Sequence, residues 1–258
     1  MSDESWKTGI TKVEPNKLLL RGYRIDELMG KMSFAEAVFL ATTGERPTPA
    51  QANLVNAIFV SSIDHGVTPP SALAAMTVAS TRAPLSTSVA AGIMAVTHVH
   101  GGAGEGAMRM FYDAGHRVSE GYTAEGAAKA ILDEMKARKQ RAPGFGHRIH
   151  TADPRAARLL ELAGEAGVEG RYISVAQAFE KELESRLGKR LPLNVDGAIA
   201  VVLCELSVDP DLGSAFFVIA RVPGLVAHVL EETGRQRPMR RIDVARHEYD
   251  GPPERSLD

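Results

Sequence analysis

The stretch Pro143-Gly144-Phe145-Gly146-His147-Arg148, followed by Asp153-Pro154-Arg155-Ala156, holds the groups best suited to chemistry in this chain. Imidazole is the side chain that exchanges protons nearest neutral pH. The glycines flanking Phe145 let backbone come close to a ligand, because glycine has no Cβ and tolerates positive φ. Asp-Pro reads as a helix start and places Arg155 in the first turn. A guanidinium there is a rigid fork for a carboxylate or phosphate. One proton-transfer group and one anion clamp on adjoining elements point to chemistry on a small acidic substrate.

Three other segments carry candidates. In His98-Val99-His100-Gly101-Gly102-Ala103-Gly104-Glu105-Gly106 the glycines follow an apolar, helix-like run. A dinucleotide fingerprint needs a preceding strand and its own glycine spacing, so a nucleotide site is not supported. His98 and His100, with Asp64 and His65, invite a metal, yet no second pair has ligand spacing and zinc-type cysteines are missing; no metal is expected. His100 is left at a helix end beside a glycine hinge, able to donate a hydrogen bond into a cleft. Asp196, in Leu193-Asn194-Val195-Asp196-Gly197, has two readings: an N-terminal helix cap, or a partly desolvated general base heading the apolar run 199–203. Taken singly, the residue favours the cap. Arg221 interrupts the apolar run 216–220, where a lone charge is costly unless paired or bound to a ligand. Arg237-Pro238 opens a basic tail whose simplest reading is a solvated surface. Lys136, Arg138, Lys139 and Arg141 read equally as a solvated helix face or as a phosphate-binding cluster. His65, taken alone, reads as a structural histidine.

The elements that must position these groups are mostly helical. Ser33-Phe34-Ala35-Glu36 is a capping box, with Gly44 closing its helix; Thr48-Pro49 starts the next. Further helices are predicted near 71–80, 86–97, 107–114, 123–139, 154–166, 174–187, 196–206 and 211–232. The segment 86–97 is almost entirely small or apolar and is expected to be buried on all sides. Pro223-Gly224 should kink or interrupt the last helix. Only short strands near 11–13 and 18–21 are predicted, and without βαβ alternation the fold class is all-α.

The chain has 258 residues, 44% hydrophobic and 24% charged, with a net charge of −2. That is ordinary globular usage, sufficient for one large domain or two lobes, and it gives no support for nucleic-acid or membrane-surface binding through overall charge. The N-terminus lacks a signal-peptide pattern, and no apolar run is expected to reach the length of a membrane span. The single cysteine, Cys204, reads as a buried reduced thiol. Together these place the expected protein in the cytoplasm.

Taken together the landmarks resemble the citrate synthase superfamily: Arg21-Gly22-Tyr23-Arg24-Ile25, Ser33-Phe34-Ala35-Glu36-Ala37, Thr43-Gly44-Glu45-Arg46-Pro47, Asp64-His65, His100-Gly101-Gly102-Ala103, Gly144-Phe145-Gly146-His147-Arg148, Asp153-Pro154-Arg155, Asn194-Val195-Asp196 and Arg237-Pro238. They occur in the family's order over nearly the whole chain. Between Thr48 and Asp64 the chain passes directly from one helix to the next, where full synthases insert a long helical region. It thereby also resembles citryl-CoA lyase and the citrate synthase-homology region of ATP-citrate lyase, as do the phrases Ser61-Ser62-Ile63-Asp64-His65-Gly66 and Leu193-Asn194-Val195-Asp196-Gly197.

The resemblance implies a shortened, two-lobed helical fold, with a large lobe from residues 1–100 and 201–258 and a small one from 101–200. It implies that His100, His147 and Asp196 are catalytic, tilting Asp196 from cap to catalysis. It further implies that His65, Arg155 and Arg221 hold the dicarboxylate, with Arg237 arriving from a neighbouring subunit of a homo-oligomer. Gly144, Gly146, Lys139 and Arg141 are the candidates for contact with coenzyme A; the position between the Gly-His loop and Asp153 that is often basic in the family is Thr151 here. The expected activity is retro-aldol cleavage of citryl-CoA to acetyl-CoA and oxaloacetate. No tightly bound cofactor is expected, coenzyme A being part of the substrate, and a citryl-CoA synthetase partner is compatible with it. Alternatives kept open are a citrate or 2-methylcitrate synthase-like enzyme, a lyase for a related thioester such as citramalyl-CoA, and a non-catalytic subunit that binds coenzyme A thioesters.

Overall fold

Capping chemistry sets several of the helix starts. In the computed structural model, which describes residues 6–146, 153–168, 170–240 and 248–256, Ser33 and Glu36 form the expected reciprocal box at the head of α2 (Phe34–Thr43). Gly44 closes that helix in left-handed backbone, φ 88°, a conformation that glycine adopts without a Cβ penalty. Thr48 and Gln51 form a second box ahead of α3 (Pro49–Ser62). Such caps are worth about 1 kcal/mol each. The remaining helices are α1 (Ile25–Leu28), α4 (Pro70–Ala79), α5 (Leu85–Met94), α6 (Ala103–Ser119), α7 (Ala124–Ala137), α8 (Pro154–Glu165), α9 (Arg171–Leu187), α10 (Val195–Glu205) and α11 (Gly213–Arg235). The only sheet among the described residues is a small antiparallel one, β1 (Thr11–Glu14), β2 (Lys17–Leu20) and β3 (Tyr23–Arg24) in that order, with Thr11 facing Leu20. The fold is therefore all-α, as expected.

Residues 1–65 and 96–224 form one packing unit; 66–95 and 225–258 form a second. These bounds differ from the two lobes the resemblance implies. Packing units are defined by contacts and lobes by what moves together, so the lobes stay an expectation. The first unit is built around α10, in which every residue from Gly197 to Cys204 is buried. Phe111, Phe179 and Phe216 fill the core beside it, each 0% exposed. Cys204 is buried there as anticipated, and burial pushes its thiol pKa up, which keeps it protonated. In the second unit Gly92 lets α5 lie close to α4, since a Cβ on it would meet the Ser71 carbonyl oxygen at 2.9 Å.

Four local expectations are corrected. Only Ser88, Val89 and Gly92 of α5 are buried, and Met94 is 81% exposed; an apolar composition says nothing about how many sides of a helix find neighbours. The glycine cluster 101–106 is not a hinge throughout, because α6 begins at Ala103 and includes Gly104 and Gly106. Pro223 does not interrupt α11, which runs unbroken through it. With both halves joined, Pro210–Arg235 has the length and composition of a membrane span, contrary to the reading of shorter runs. Its 44% buried window and the internal Arg221 are those of a core helix.

Candidate active site

The C-terminal end of α3 gathers the candidate carboxylate-binding groups. Helix C-termini leave carbonyls without intrahelical partners and carry partial negative charge, so they attract cations. Two arginines answer consecutive carbonyls there: Arg155 Nη1 donates to Ser61 O at 3.4 Å, and Arg221 Nε donates to Ser62 O at 2.8 Å. Asp64 and His65, the next landmarks, follow at once, His65 being half-buried. Three segments distant in the chain are thereby brought to one place.

Each arginine is held differently. Asp153 caps α8, its Oδ1 accepting from the Arg155 backbone at 3.0 Å. The same carboxylate grips the Arg155 guanidinium by two bonds, Nε to Oδ1 at 3.0 Å and Nη2 to Oδ2 at 2.8 Å. A cavity of about 320 Å³ lined by Ala57, Val60, Ser61, Pro154, Arg155 and Leu159, among others, runs beside this pair. Arg221 is 3% exposed, and its guanidinium carbon lies 4.9 Å from the centre of the Phe217 ring. Its Nη1 is buried with no hydrogen-bond partner among the described residues. Burial lowers the Arg221 pKa against the pull of Asp64 and Asp196. A buried donor left unpaired costs about 1–3 kcal/mol, and an incoming carboxylate relieves that cost.

Asp196 is not the cap of α10. Asn194 takes that role, its side-chain oxygen accepting from Gly197 N at 3.0 Å. Asp196 sits in the first turn, where desolvation raises its pKa, Arg155 and Arg221 oppose the rise, and Asp153 adds to it. The net direction is upward, so the protonated form persists to higher pH than for an ordinary aspartate. A carboxyl whose pKa burial raises against the pull of two guanidinium groups is better suited to delivering a proton than an ordinary aspartate.

The Gly-rich loop is stitched to the segment carrying Asp196. Gly144 O accepts from Asn194 N at 3.0 Å, Gly146 O accepts from the Asn194 side-chain amide at 2.8 Å, and Gly146 N donates to Pro192 O at 2.7 Å. Gly144 has φ +83° and Gly146 +80°. Their close approaches are to the chain itself: a Cβ on Gly144 would lie 2.8 Å from Gly197 Cα, and one on Gly146 2.8 Å from Leu191 Cδ1. His147, Arg148 and Thr151 lie outside the described residues; the loop that precedes His147 is anchored beside α10.

His100 closes a tight turn rather than ending a helix. Thr97 and His100 exchange both backbone hydrogen bonds at 2.9 Å, and Gly101 follows at φ +71°. The His100 ring meets Phe217 edge-on, 6.2 Å between centroids. His100 and Arg221 therefore contact the same ring. Lys139, at φ +55°, and Arg141 are exposed beyond α7. Arg237 is exposed on the tail of the second unit.

Sequence reasoning overlooked Ser61 and Ser62, whose backbone carbonyls hold the arginines, Phe217, and the second role of Asp153. The signal for Asp153 was present, since Asp-Pro-Arg places a carboxylate two residues from a guanidinium. Nothing in the sequence marks a backbone carbonyl.

A helical fold of this length, with two arginines converging on one helix end beside a carboxyl of raised pKa, matches the family described as citrate synthase, C-terminal domain, over residues 38–242, and the chain belongs to that family. It is similar to the citryl-CoA lyase of Hydrogenobacter thermophilus, with 43% identity, a TM-score of 0.90, and 99% of this chain and 98% of that one covered. It is 31% identical to citrate synthase 2 of Bacillus subtilis (strain 168) over 84% of its own length but only 56% of that protein's. The chain thus spans little more than half of the curated relatives it matches. An ATP citrate lyase from Methanothrix soehngenii, solved with citrate and coenzyme A, shares the fold at a TM-score of 0.84 and 21% identity, the match covering 100% of this chain and 44% of that one.

Proposed function

We propose that this protein is a citryl-CoA lyase, cleaving citryl-CoA to acetyl-CoA and oxaloacetate by a retro-aldol step. The observation that carries the reading is Arg221, whose buried Nη1 has no hydrogen-bond partner among the described residues, together with the Asp196 carboxyl, whose pKa burial raises. A substrate carboxylate satisfies the first, and a carbon awaiting a proton satisfies the second. The 43% identity along 98% of the Hydrogenobacter lyase, against 31% identity over 56% of the Bacillus subtilis synthase, favours lyase over synthase.

In this mechanism Arg155 and Arg221 bind the carboxylates of the citryl group by charge-assisted hydrogen bonds, with His65 beside them and Arg237 supplied by a second subunit. Arg155 exchanges part of its hold on Asp153 for the substrate. His147 takes the tertiary hydroxyl proton as the bond between that carbon and the thioester's α-carbon breaks. The electron pair moves onto the acetyl thioester as an enol or enolate, whose oxygen accepts a hydrogen bond from His100. Asp196 then protonates the terminal carbon. Each acid–base role is worth about 10²–10⁴-fold in rate. Because Asp196 acts as the acid, turnover in this direction falls as pH rises through its raised pKa. Lys139 and Arg141 are proposed to meet the coenzyme A phosphates. A homo-oligomer of at least two subunits and a cytoplasmic location complete the reading; a fully active monomer contradicts the role of Arg237.

The test supplies citryl-CoA to the purified protein, follows oxaloacetate with malate dehydrogenase and NADH, and titrates free thiol in parallel. Oxaloacetate without thiol is the expected result. Thiol without oxaloacetate overturns it in favour of thioester hydrolysis and a synthase-like enzyme.

A further inference from the structure

The second packing unit carries a device that fixes Arg237 in space. The residues after α11 are fastened on both sides of Arg237-Pro238. Before it, Gln236 N donates to Glu232 O at 3.1 Å, and Arg82 donates to the Gln236 carbonyl at 3.0 Å and to the Thr233 carbonyl. After it, Met239 N donates to Ser80 O at 2.8 Å. Arg240 then turns back onto α11 and pairs with Glu232, Nε to Oε1 at 3.3 Å with a second bond from Nη2 to Oε2. Met239 and Arg82 are both left-handed, at φ 59° and 64°. Side-chain-bearing residues seldom hold that backbone unless their surroundings impose it.

Glu232 is the unusual member. Its side chain is 2% exposed, and a carboxylate so placed is costly unless paired. Arg240 supplies the pairing from the tail, so folding of α11 obliges the tail to return. Arg237 itself makes no ion pair with a described residue and is exposed between the two fastenings. A long exposed cation held by its neighbours, with no ion-pair partner among the described residues, is free to meet a ligand.

We infer that Glu232 and Arg240 are positioning residues whose ion pair, with the Ser80 and Arg82 contacts, presents Arg237 to a substrate carboxylate. The role for Arg237 rests on the function proposed above; the strap does not. Pre-organising a side chain removes the entropy of ordering it on binding, so loss of the strap raises KM while leaving kcat nearly unchanged.

The experiment compares wild type, Arg240→Gln, Arg237→Ala and the double variant in steady-state citryl-CoA kinetics. Arg240→Lys is the conservative control, and hydrogen exchange is followed at the Met239 amide. Arg240→Gln leaves the buried Glu232 carboxylate without that partner, so melting curves accompany the kinetics, and Glu232→Gln added to Arg240→Gln removes the lone charge. Arg240→Gln is expected to raise KM about tenfold with the Arg237 side chain present, and by less than about twofold in its absence. Arg240→Lys recovers part of the loss. An equal rise in both backgrounds, or none in either, overturns the inference. Should the wild type not turn over citryl-CoA, the functional reading falls, and the strap is judged by exchange alone. Faster exchange at Met239 in Arg240→Gln then supports it, and equal rates refute it.

Discussion

Gly197→Ala tests whether the packing of the Gly144 loop on α10 sets the catalytic geometry. A Cβ at residue 197 would lie 2.3 Å from Gly144 O, 2.6 Å from Leu193 Cδ1 and 3.0 Å from the Gly144 carbonyl carbon. Leu193 can rotate, but Gly144 O is backbone and already accepts from Asn194 N at 3.0 Å. Restoring an ordinary contact near 3.3 Å requires the two backbones to part by about 1 Å. Overpacking of this kind costs about 1–3 kcal/mol, and weakening the Asn194 bond adds about 1 kcal/mol. The sum, about 2–4 kcal/mol, lowers Tm by about 5–12 °C in a chain of this size. The displaced elements are the loop ahead of His147 and the first turn holding Asp196, the groups proposed above to move protons, and a misplacement of about 1 Å at such groups costs about 10²-fold in rate. The assay is a melting curve alongside oxaloacetate release from citryl-CoA, with Gly164→Ala as control. Gly164 is helical and a Cβ there meets nothing within 4 Å, so that change should add up to about 1 kcal/mol of stability and leave turnover alone. A Gly197→Ala protein with wild-type Tm and wild-type turnover refutes the claim that this contact positions the site.

Two further outcomes are expected. Arg221→Met removes a buried, incompletely paired charge, so Tm should fall by no more than about 3 °C while KM for citryl-CoA rises about 10–100-fold; a large loss of Tm with normal KM makes Arg221 structural instead. Asp196→Asn should cut turnover by at least about 10²-fold with KM little changed, checked by initial rates. It also tests the carboxyl's pKa, because in the folded protein that value is raised above the usual 3.8. The native state therefore holds this proton more tightly than the unfolded chain. Its stabilising contribution is complete below 3.8 and lost as pH rises through the raised native value. The asparagine, a mimic of the protonated form, should then melt higher than wild type at about pH 7.5 and no higher at about pH 3.5; a lower Tm at the neutral pH contradicts the direction of the shift.

Local chemistry made the fold class readable. The boxes at Ser33-Glu36 and Thr48, the Asp153-Pro154 start and the Gly44 stop act over three or four residues, so their sequence is their structure. Motif order made the family readable as well. Burial was less legible: α5 and α11 have similar apolar runs, and only neighbours decide which faces are covered.

Residue identity alone named Arg155, Arg221, Asp196 and His100 as candidates, because a charge in an apolar run or a histidine beside glycines is conspicuous wherever it lies. Their partners were not legible. Arg155 finds Ser61 across 94 residues and Arg221 finds Ser62 across 159, and both meet backbone carbonyls, which every residue possesses. Taken singly Asp196 favoured a cap over a general base; in the fold Asn194 makes that cap, and burial raises the Asp196 carboxyl's pKa. Side-chain chemistry is written residue by residue, whereas desolvation and pairing depend on distances that exist only once the helices have packed.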